Sequence, residues 1–251
     1  MTRPNYQRVA DALRQRIIAG DYAPDERLPS RQALADEFDI GLRVAADAVQ
    51  QLVAEGCVVT RTGSGSYVRP RPPVRRLTRS WYRENRSGSP FRAEMSAQAV
   101  RGGWKASSET VAASEETAQR LAIDPGAAVM RTRYVFTGDD EPVMLSTSYE
   151  PLELTRGTEV VLPEDGVHAG RGVVERMRII GQHITQAGEI VTARPASSYE
   201  ADQLRITRGG TVLVIQRTYY TEEHPVETAD IVVPQDRYEL AYMIPVGADR
   251  S

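Results

Sequence analysis

A repeat with a constant offset of 83 positions is the strongest constraint in the second half of this 251-residue chain. Each copy predicts a short helix, a turn, a β-strand, an acidic turn (GDDEP, then TEEHP) and a second strand. The matched positions are Leu121, Ile123, Gly126, Val129, Pro142 and Val143 in one copy, and Leu204, Ile206, Gly209, Val212, Pro225 and Val226 in the other. Two helix-plus-hairpin units predict one antiparallel sheet with helices on a face, which is an α+β domain.

The first 70 residues follow a different pattern. Apolar spacing predicts helices from Tyr6 to Ala19, from Ser30 to about Asp39 and from about Leu42 to Ala54. The stretch CVVTRTGSGSYVR then predicts a strand, a tight turn and a strand, because glycine accepts positive φ without penalty. This order indicates a winged helix-turn-helix. The alternative is an ordinary three-helix domain with a surface hairpin.

A winged helix-turn-helix predicts DNA contacts from two elements. The third helix fits the major groove, and its exposed residues Arg43, Asp47 and Gln50 suit base edges. The hairpin tip Gly63, Ser64 and Gly65 is slender enough for a minor groove of about 6 Å. Arg61 and Arg69 at its base suit phosphates or groove edges.

Composition limits the other functional classes. The net charge of −3 disfavours nonspecific binding of nucleic acid by the whole molecule. The single cysteine, Cys57, excludes an intramolecular disulfide and a cysteine-based metal cluster. The sequence has no metal-ligand spacing and no cofactor motif, so neither is expected. No apolar run reaches the length of a membrane span, and the N-terminus does not resemble a signal peptide, so a cytoplasmic protein is expected.

The segment RPRPPVRRLTRSWYRENRSGSP predicts a linker over 70–90, because it is rich in proline, arginine, glycine and serine and has no periodicity. Its arginines suit DNA phosphates, or they belong to a solvated tether, and both interpretations stay open. The predicted organisation is a DNA-binding domain over 1–69, the linker over 70–90 and a second domain over 91–251.

The first domain resembles the DNA-binding domain of GntR-type transcription regulators. The resemblance rests on LPSRQALADEF and LVAEGCVVTRTGSGSYV, in order and spacing. It implies DNA contacts at Ser30 and Arg31, where the second helix starts, and a guanine contact at Arg43. The family usually has Ser-Arg and a further arginine early in the third helix, where this chain has Gly41, Leu42 and Ala46. The operator sequence therefore does not carry over.

The second domain resembles the UTRA effector-binding domain of the HutC branch of that family, which has a chorismate-lyase-like fold. The matching pieces are GAAVMRTRYVFTGDDEPVMLSTSYEP, ARPASSYEADQLRITRGGTVLVIQRTYY and HPVETADIVVPQDRYEL. The resemblance implies a small-molecule effector, dimerisation and site residues at Phe91, Arg92, Arg131, Arg133 and Glu227. Ser146, Ser148, Glu175 and Tyr220 complete the predicted site. Valines at 174 and 233 replace the tyrosines of sugar-phosphate sensors, which favours a more apolar acid or an antibiotic-like ligand.

Strand alternation adds an independent argument for an anion. Arg131 and Arg133 share one face of a predicted strand with Val129 and Val135, and two such arginines are costly unless they meet anions. They predict a carboxylate- or phosphate-binding site. The alternative is a pair of structural salt bridges to acids such as Glu175 or Glu227.

The function predicted from the sequence is a ligand-responsive, homodimeric repressor that a small anionic metabolite releases from its DNA operator. The alternative is a lyase, in which Arg131 and Arg133 hold a carboxylated substrate and Glu227 acts as acid or base. A nonspecific architectural DNA protein is a third interpretation, against which the acidic balance speaks.

Overall fold

The computed structural model describes residues 5–70, 75–79 and 89–244. The chain divides into two compact units, Met1–Pro73 and Val74–Ser251. Of the predicted linker, 71–74 and 80–88 lie outside the described residues, and so do the linker arginines Arg71, Arg83 and Arg86.

The first unit contains the predicted three helices and hairpin. Its elements are α1 (Asn5–Ala19), α2 (Arg31–Phe38), α3 (Leu42–Ala54), β1 (Val58–Arg61) and β2 (Gly65–Val68). The Ser30 hydroxyl accepts a hydrogen bond from the Ala33 N–H at 3.1 Å and so caps α2. Asp39 ends α2 in the left-handed conformation with φ 50°, which turns the chain into α3.

The helices of the first unit enclose one hydrophobic core. Leu13 of α1, Leu34 of α2 and Leu52 of α3 are all fully buried in it. Cys57 and Val58 extend this core into the hairpin, so the lone cysteine is a core residue, as the sequence predicted. The core holds α3 with one side inward and the other side in solvent.

The second unit is built on a six-stranded antiparallel sheet in the order β4-β5-β6-β9-β8-β7. The strands are β4 (Gly102–Ala112), β5 (Ala128–Gly138), β6 (Glu141–Pro151), β7 (Gln186–Pro195), β8 (Thr211–Tyr220) and β9 (Pro225–Pro234). The remaining elements are β3 (Arg75–Arg79), α4 (Pro90–Ala97), α5 (Glu115–Leu121), α6 (Leu152–Thr155), α7 (Val173–Ile179), α8 (Ser198–Leu204) and β10 (Tyr238–Tyr242).

The sheet order reflects the sequence repeat. Helices α5 and α8 keep the offset of 83 at both ends, and β5 and β8 begin at the same offset. Each copy also has a preceding strand, β4 or β7, which the sequence comparison did not include. The sheet therefore joins two similar halves at the contact between β6 and β9.

The two faces of the sheet carry different elements. On the helix face, α5 packs against Val129 and α8 packs against Leu145 and Val232. On the opposite face, which we call the cavity face, Phe91 and Met95 of α4 and Leu77 of β3 pack against the sheet.

The structure differs from the predicted linker at 75–79. These residues form β3, which pairs in parallel with β10 from Arg75↔Tyr238 to Arg79↔Tyr242. Strand β3 thus belongs to the second unit, and this part of the linker assignment is corrected. The physical reason is a partner 163 positions away: Arg76 Nε donates to Glu239 Oε1 at 2.8 Å, and Leu77 is buried. The sequence of the segment itself does not reveal its partner strand, β10.

Candidate functional sites

The exposed side of α3 brings three predicted DNA-binding residues together. Ala45, Ala48, Val49 and Leu52 are buried, and Arg43, Asp47 and Gln50 are exposed. The spacing of 43, 47 and 50 places these side chains along one helix face. Within the described residues, no ion pair engages Arg43, so its guanidinium fork is available for a ligand.

Leu42 is a surface residue that the sequence analysis named as the start of the third helix and as a departure from the family pattern, but not as a DNA contact. It is 53% exposed at the first turn of α3, next to Arg43. An apolar side chain at this place suits the methyl group of thymine. The sequence offered one signal for this role, namely the position of Leu42 on the helix predicted to enter the major groove.

The two residues predicted to contact DNA at the start of α2 have different environments. Arg31 is exposed, whereas the Ser30 hydroxyl already accepts the capping hydrogen bond. Because the oxygen is engaged with the helix, Ser30 caps and orients α2. The first N–H groups of that helix add a site that favours phosphate.

The hairpin presents the predicted small tip, with Gly63 and Ser64 exposed and Gly65 half-buried. Its basic residues are engaged within the unit. Arg61 donates to Asp25 at 2.6 Å and stacks on the Tyr67 ring with its guanidinium carbon 4.3 Å from the centroid. Arg69 is half-buried, and its backbone N–H bonds to the Cys57 carbonyl at 2.9 Å. Only Nη2 of Arg61 bonds to Asp25, so its other N–H groups can still contact a phosphate.

A cavity of about 130 Å³ lies on the cavity face of the second unit. Its wall is largely aromatic. Phe136 is at the centre of this wall, with its ring 4.7 Å from Phe91, 5.3 Å from Tyr134 and 6.1 Å from Trp104 between centroids. Tyr219 contributes a fifth ring from β8. The lining also contains charged side chains and serines, and cavities that combine aromatic side chains with polar groups are the usual sites for small molecules.

Ion pairs surround the cavity. Arg176 bonds to Glu150, and Arg217 bonds to Glu227 at 3.1 Å. Glu150 and Glu227 are fully buried. Burial, with a smaller contribution from the nearby Glu227, raises the pKa of Glu150 to about 7 despite the opposing charge of Arg176. Arg79 binds Glu189, and hydrogen bonds from Arg79 and Tyr242 hold the pKa of Glu189 below its usual value even though burial acts in the opposite direction.

Four of the predicted effector residues line this cavity: Phe91, Ser146, Ser148 and Glu227. Two others lie beside it. Arg92 is exposed and stacks on Trp104 at 4.3 Å, and Glu175 binds Arg171, a lining residue, at 2.6 Å. Tyr220 is half-buried near the end of β8 and does not line the cavity.

Arg131 and Arg133 are not part of this cavity, which corrects the predicted grouping with Glu227. They lie on the helix face, and both bond to Glu109 of β4, at 2.6 and 2.8 Å. Arg131 lowers the pKa of Glu109 most, and Arg133 adds to the effect. The alternative prediction was a pair of structural salt bridges to acids such as Glu175 or Glu227. The arginines do form salt bridges, but their acid is Glu109. Arg133 also borders a second, more polar depression with Arg194, Glu200 and Asp230.

Tyr134 and Phe136 are the residues that sequence reasoning missed. They occupy alternate positions of β5, between and after the two arginines, so their side chains point to the cavity face. The signal was present as a second stripe on the same strand. The arginine stripe predicts the ligand site instead, because two arginines on one sheet face require anionic partners.

The described residues contain no group of three or more histidine, cysteine, aspartate or glutamate side chains that could hold a metal ion. Across those same ranges, no helix is long and apolar enough to span a bilayer.

Comparison with known proteins gives matches in both units. Residues 5–68 match the family description "Bacterial regulatory proteins, gntR family", and residues 106–239 match "UTRA domain". A crystal structure of a GntR-family transcriptional regulator is 47% identical with a TM-score of 0.83, and the match covers 97% of this chain and 98% of that chain.

Two relatives match over nearly their full length. The HTH-type transcriptional regulator SCO4628 of Streptomyces coelicolor is 31% identical over 232 residues, covering 89% of this chain and 86% of that protein. The histidine utilization repressor of Pseudomonas putida is 25% identical over 247 residues, covering 94% of this chain and 90% of that protein.

Proposed function

The chain belongs to the GntR family of bacterial transcriptional regulators and carries a UTRA domain, and from this premise we propose that it is a repressor whose affinity for its DNA operator responds to a small molecule. The observation that carries the proposal is the presence of two sites in one chain. The first unit exposes Arg43, Asp47 and Gln50 on α3, and the second unit contains an aromatic cavity. Relatives are repressors by name.

DNA recognition is assigned to α3 and the hairpin. Arg43 pairs with guanine through its two-pronged guanidinium, and Gln50 and Asp47 contact neighbouring base edges. Ser30, Arg31, Arg61, Arg69 and the tip Gly63, Ser64 and Gly65 position the unit on the backbone. Two copies in a homodimer read an inverted repeat, because a two-fold protein matches a two-fold site. Action on a chromosomal operator implies a cytoplasmic protein.

The effector site is assigned to the cavity lined by Phe91, Ser146, Ser148 and Glu227. A ligand there changes DNA affinity only through a difference in its own affinity for the two states of the protein. The prediction that the effector is an anion rested on Arg131 and Arg133. It loses this support, because both residues lie on the helix face and bind Glu109.

The lyase alternative has no support among the relatives, which are transcriptional regulators and not enzymes. In the proposed function, the cavity binds an effector and does not convert it to a product.

The test is fluorescence anisotropy of the purified full chain with labelled duplex DNA from upstream of its own gene. The expected result is binding that survives an excess of random duplex at modest salt. A thermal-shift screen of metabolites then identifies ligands, which are added to the complex. Equal affinity for operator and random DNA would exclude a specific regulator, and a ligand that binds the protein without changing operator affinity would exclude the response.

A further inference from the structure

The arginines that line the cavity already have carboxylate partners. Each of the four arginines is hydrogen-bonded to a different glutamate: Arg79 to Glu189, Arg171 to Glu175, Arg176 to Glu150 and Arg217 to Glu227. A ligand carboxylate or phosphate bound to one of these arginines would lie beside a glutamate of the same charge, and two of these glutamates, Glu150 and Glu227, are fully buried. Like charges at close range repel each other, most strongly where water is excluded. The lining therefore does not favour an anion.

Glu164 has a different environment. It is half-buried at the cavity wall, and its Oε2 accepts hydrogen bonds from Trp104 Nε1 at 2.9 Å and from the Gly170 N–H at 3.2 Å. Both donors are neutral. Across 5–70, 75–79 and 89–244, no ion pair engages Glu164. Its negative charge at the cavity is therefore not cancelled by an ion pair with a cation of the described residues.

The charge of Glu164 acts on the aromatic wall. Burial raises the pKa of the Tyr134 hydroxyl, and the charges of Glu164 and Glu150 raise it further, so Tyr134 stays a neutral hydrogen-bond donor. Arg92 stacks on the Trp104 ring but is exposed, so water screens its charge. The negative charge of the Glu164 carboxylate is therefore available to attract a cation inside the cavity.

The ring arrangement specifies the rest of the ligand. Tyr134 and Phe136 are nearly parallel, with an interplanar angle of 14°, and Phe91 and Trp104 are tilted about 50° from Phe136. Such a wall receives a flat ring by offset stacking and edge contacts. The same π-faces attract a positively charged nitrogen.

We propose that the effector of this regulator is a planar aromatic molecule with a basic nitrogen, whose ring packs on Phe136 and whose cationic group binds Glu164. This assignment rests on the proposed effector function of the cavity. Ser146 and Ser148 supply hydroxyl groups for polar substituents of the ring.

The test compares probes that share a ring and differ in charge. Isothermal titration calorimetry on the full chain uses tryptamine against 3-indolepropionate, and phenethylamine against 3-phenylpropionate, with glucose 6-phosphate as a non-aromatic anion. We expect each amine to bind about tenfold more tightly than its matched acid, as for a charge-assisted hydrogen bond, and glucose 6-phosphate not to bind. Acids that bind as tightly as the amines, or failure of every ring compound to bind, would overturn the proposal.

Variants locate the binding. Glu164→Gln should abolish the preference for amines, while the matched control Asp165→Asn, an exposed acid next to it that does not line the cavity, should retain it. Phe136→Leu should weaken amine and acid alike, by about tenfold. A preference for amines that persists in Glu164→Gln would refute the role of that carboxylate. Thermal unfolding of each variant confirms that the second unit is folded.

The two proposals fail separately. If an acid or glucose 6-phosphate binds and releases operator DNA, the aromatic-amine assignment falls and the ligand-responsive regulator stands. If the amines bind through Glu164 but operator affinity does not change, the ligand class stands and the regulatory response falls.

Discussion

Arg176 Nη2 donates to both carboxylate oxygens of Glu150, at 2.7 and 2.6 Å, and each side chain is 1% exposed. The pair ties α7 to β6 beside the cavity. Such a pair contributes little net stability compared with apolar residues of the same volume, but removing one partner is costly. Its role is to hold charge in a defined place behind the aromatic wall.

Arg176→Met should destabilise the second unit by about 3–5 kcal/mol in urea unfolding of the full chain. Arg178→Met on the exposed side of α7 should change little. The double variant Glu150→Gln with Arg176→Met should lose less stability than the sum of the single variants, because it leaves no buried charge without its partner. Additive losses would contradict the coupling.

The loss in Arg176→Met should increase with pH. The folded-state pKa of Glu150 is about 7 with Arg176 present, and it should rise further without the arginine, far above its value in the unfolded chain. In both proteins the folded state then binds more protons than the unfolded state, so both lose stability as pH rises from about 5 to 7, and only the variant continues to lose it above about pH 7. Urea midpoints at pH 6 and pH 8 measure this, and equal losses at both would contradict it.

Arg43→Ala should remove discrimination between operator and random duplex, by about 1–3 kcal/mol, because a bidentate contact with guanine is lost. The matched control is Arg8→Ala, an exposed arginine of α1. It should weaken binding to all duplexes equally or leave it unchanged. Competition gel shifts compare the two variants, and unchanged specificity in Arg43→Ala would remove α3 from base reading.

Gly65→Ala should destabilise the hairpin more than Gly63→Ala. Gly65 has φ 116°, a conformation in which an L-residue is strained, and a Cβ there would lie 2.8 Å from Arg27 Nε. Gly63 has φ 71° and open space around it. We expect about 1–3 kcal/mol for Gly65 and about 1 kcal/mol for Gly63. Thermal unfolding measures both, and the reverse order would contradict the turn geometry.

Arg131→Ala combined with Arg133→Ala should leave effector binding intact. Both arginines lie on the helix face, and their shared partner Glu109 is half-exposed, so the stability cost should be small. Any compound that a thermal-shift screen identifies should raise the unfolding temperature of this variant as it does for the unaltered protein. Ser148→Val, which alters the cavity lining, is the positive control and should reduce the rise in unfolding temperature. If only the arginine variant loses this rise, the prediction that Arg131 and Arg133 bind the effector is restored.

Glu200→Gln should destabilise the second unit at pH 7 by about 1–3 kcal/mol, with an effect that disappears in acid. Arg194 forms two hydrogen bonds of 2.7 Å with Glu200, and with the Ser197 N–H it lowers the pKa of Glu200 to about 2. A lowered pKa contributes stability above the unfolded value, near 4.5, that is lost as pH falls towards 2. Asp202→Asn, exposed on the same helix, should show no such trend. Thermal unfolding from pH 7 to pH 3 compares them.

The sequence by itself determined the elements that depend on local pattern. Apolar spacing located α1, α2 and α3, and the glycines located the hairpin, because these features follow from backbone preference and from one buried face. The offset of 83 located both halves of the sheet, because each half repeats the same local order. Arg43, Asp47 and Gln50 were correctly placed on an exposed face for the same reason.

Only the tertiary structure decided which face of β5 forms the cavity. Alternation showed that Arg131 and Arg133 share a face, but it could not show that α5 and α8 would cover that face or that Glu109 of β4 would bind both arginines. Strand β3 was missed for a related reason, since its partner β10 is distant in sequence. Pairing between distant strands and the choice of a covered face depend on the packing of the whole unit, and no single segment contains that information.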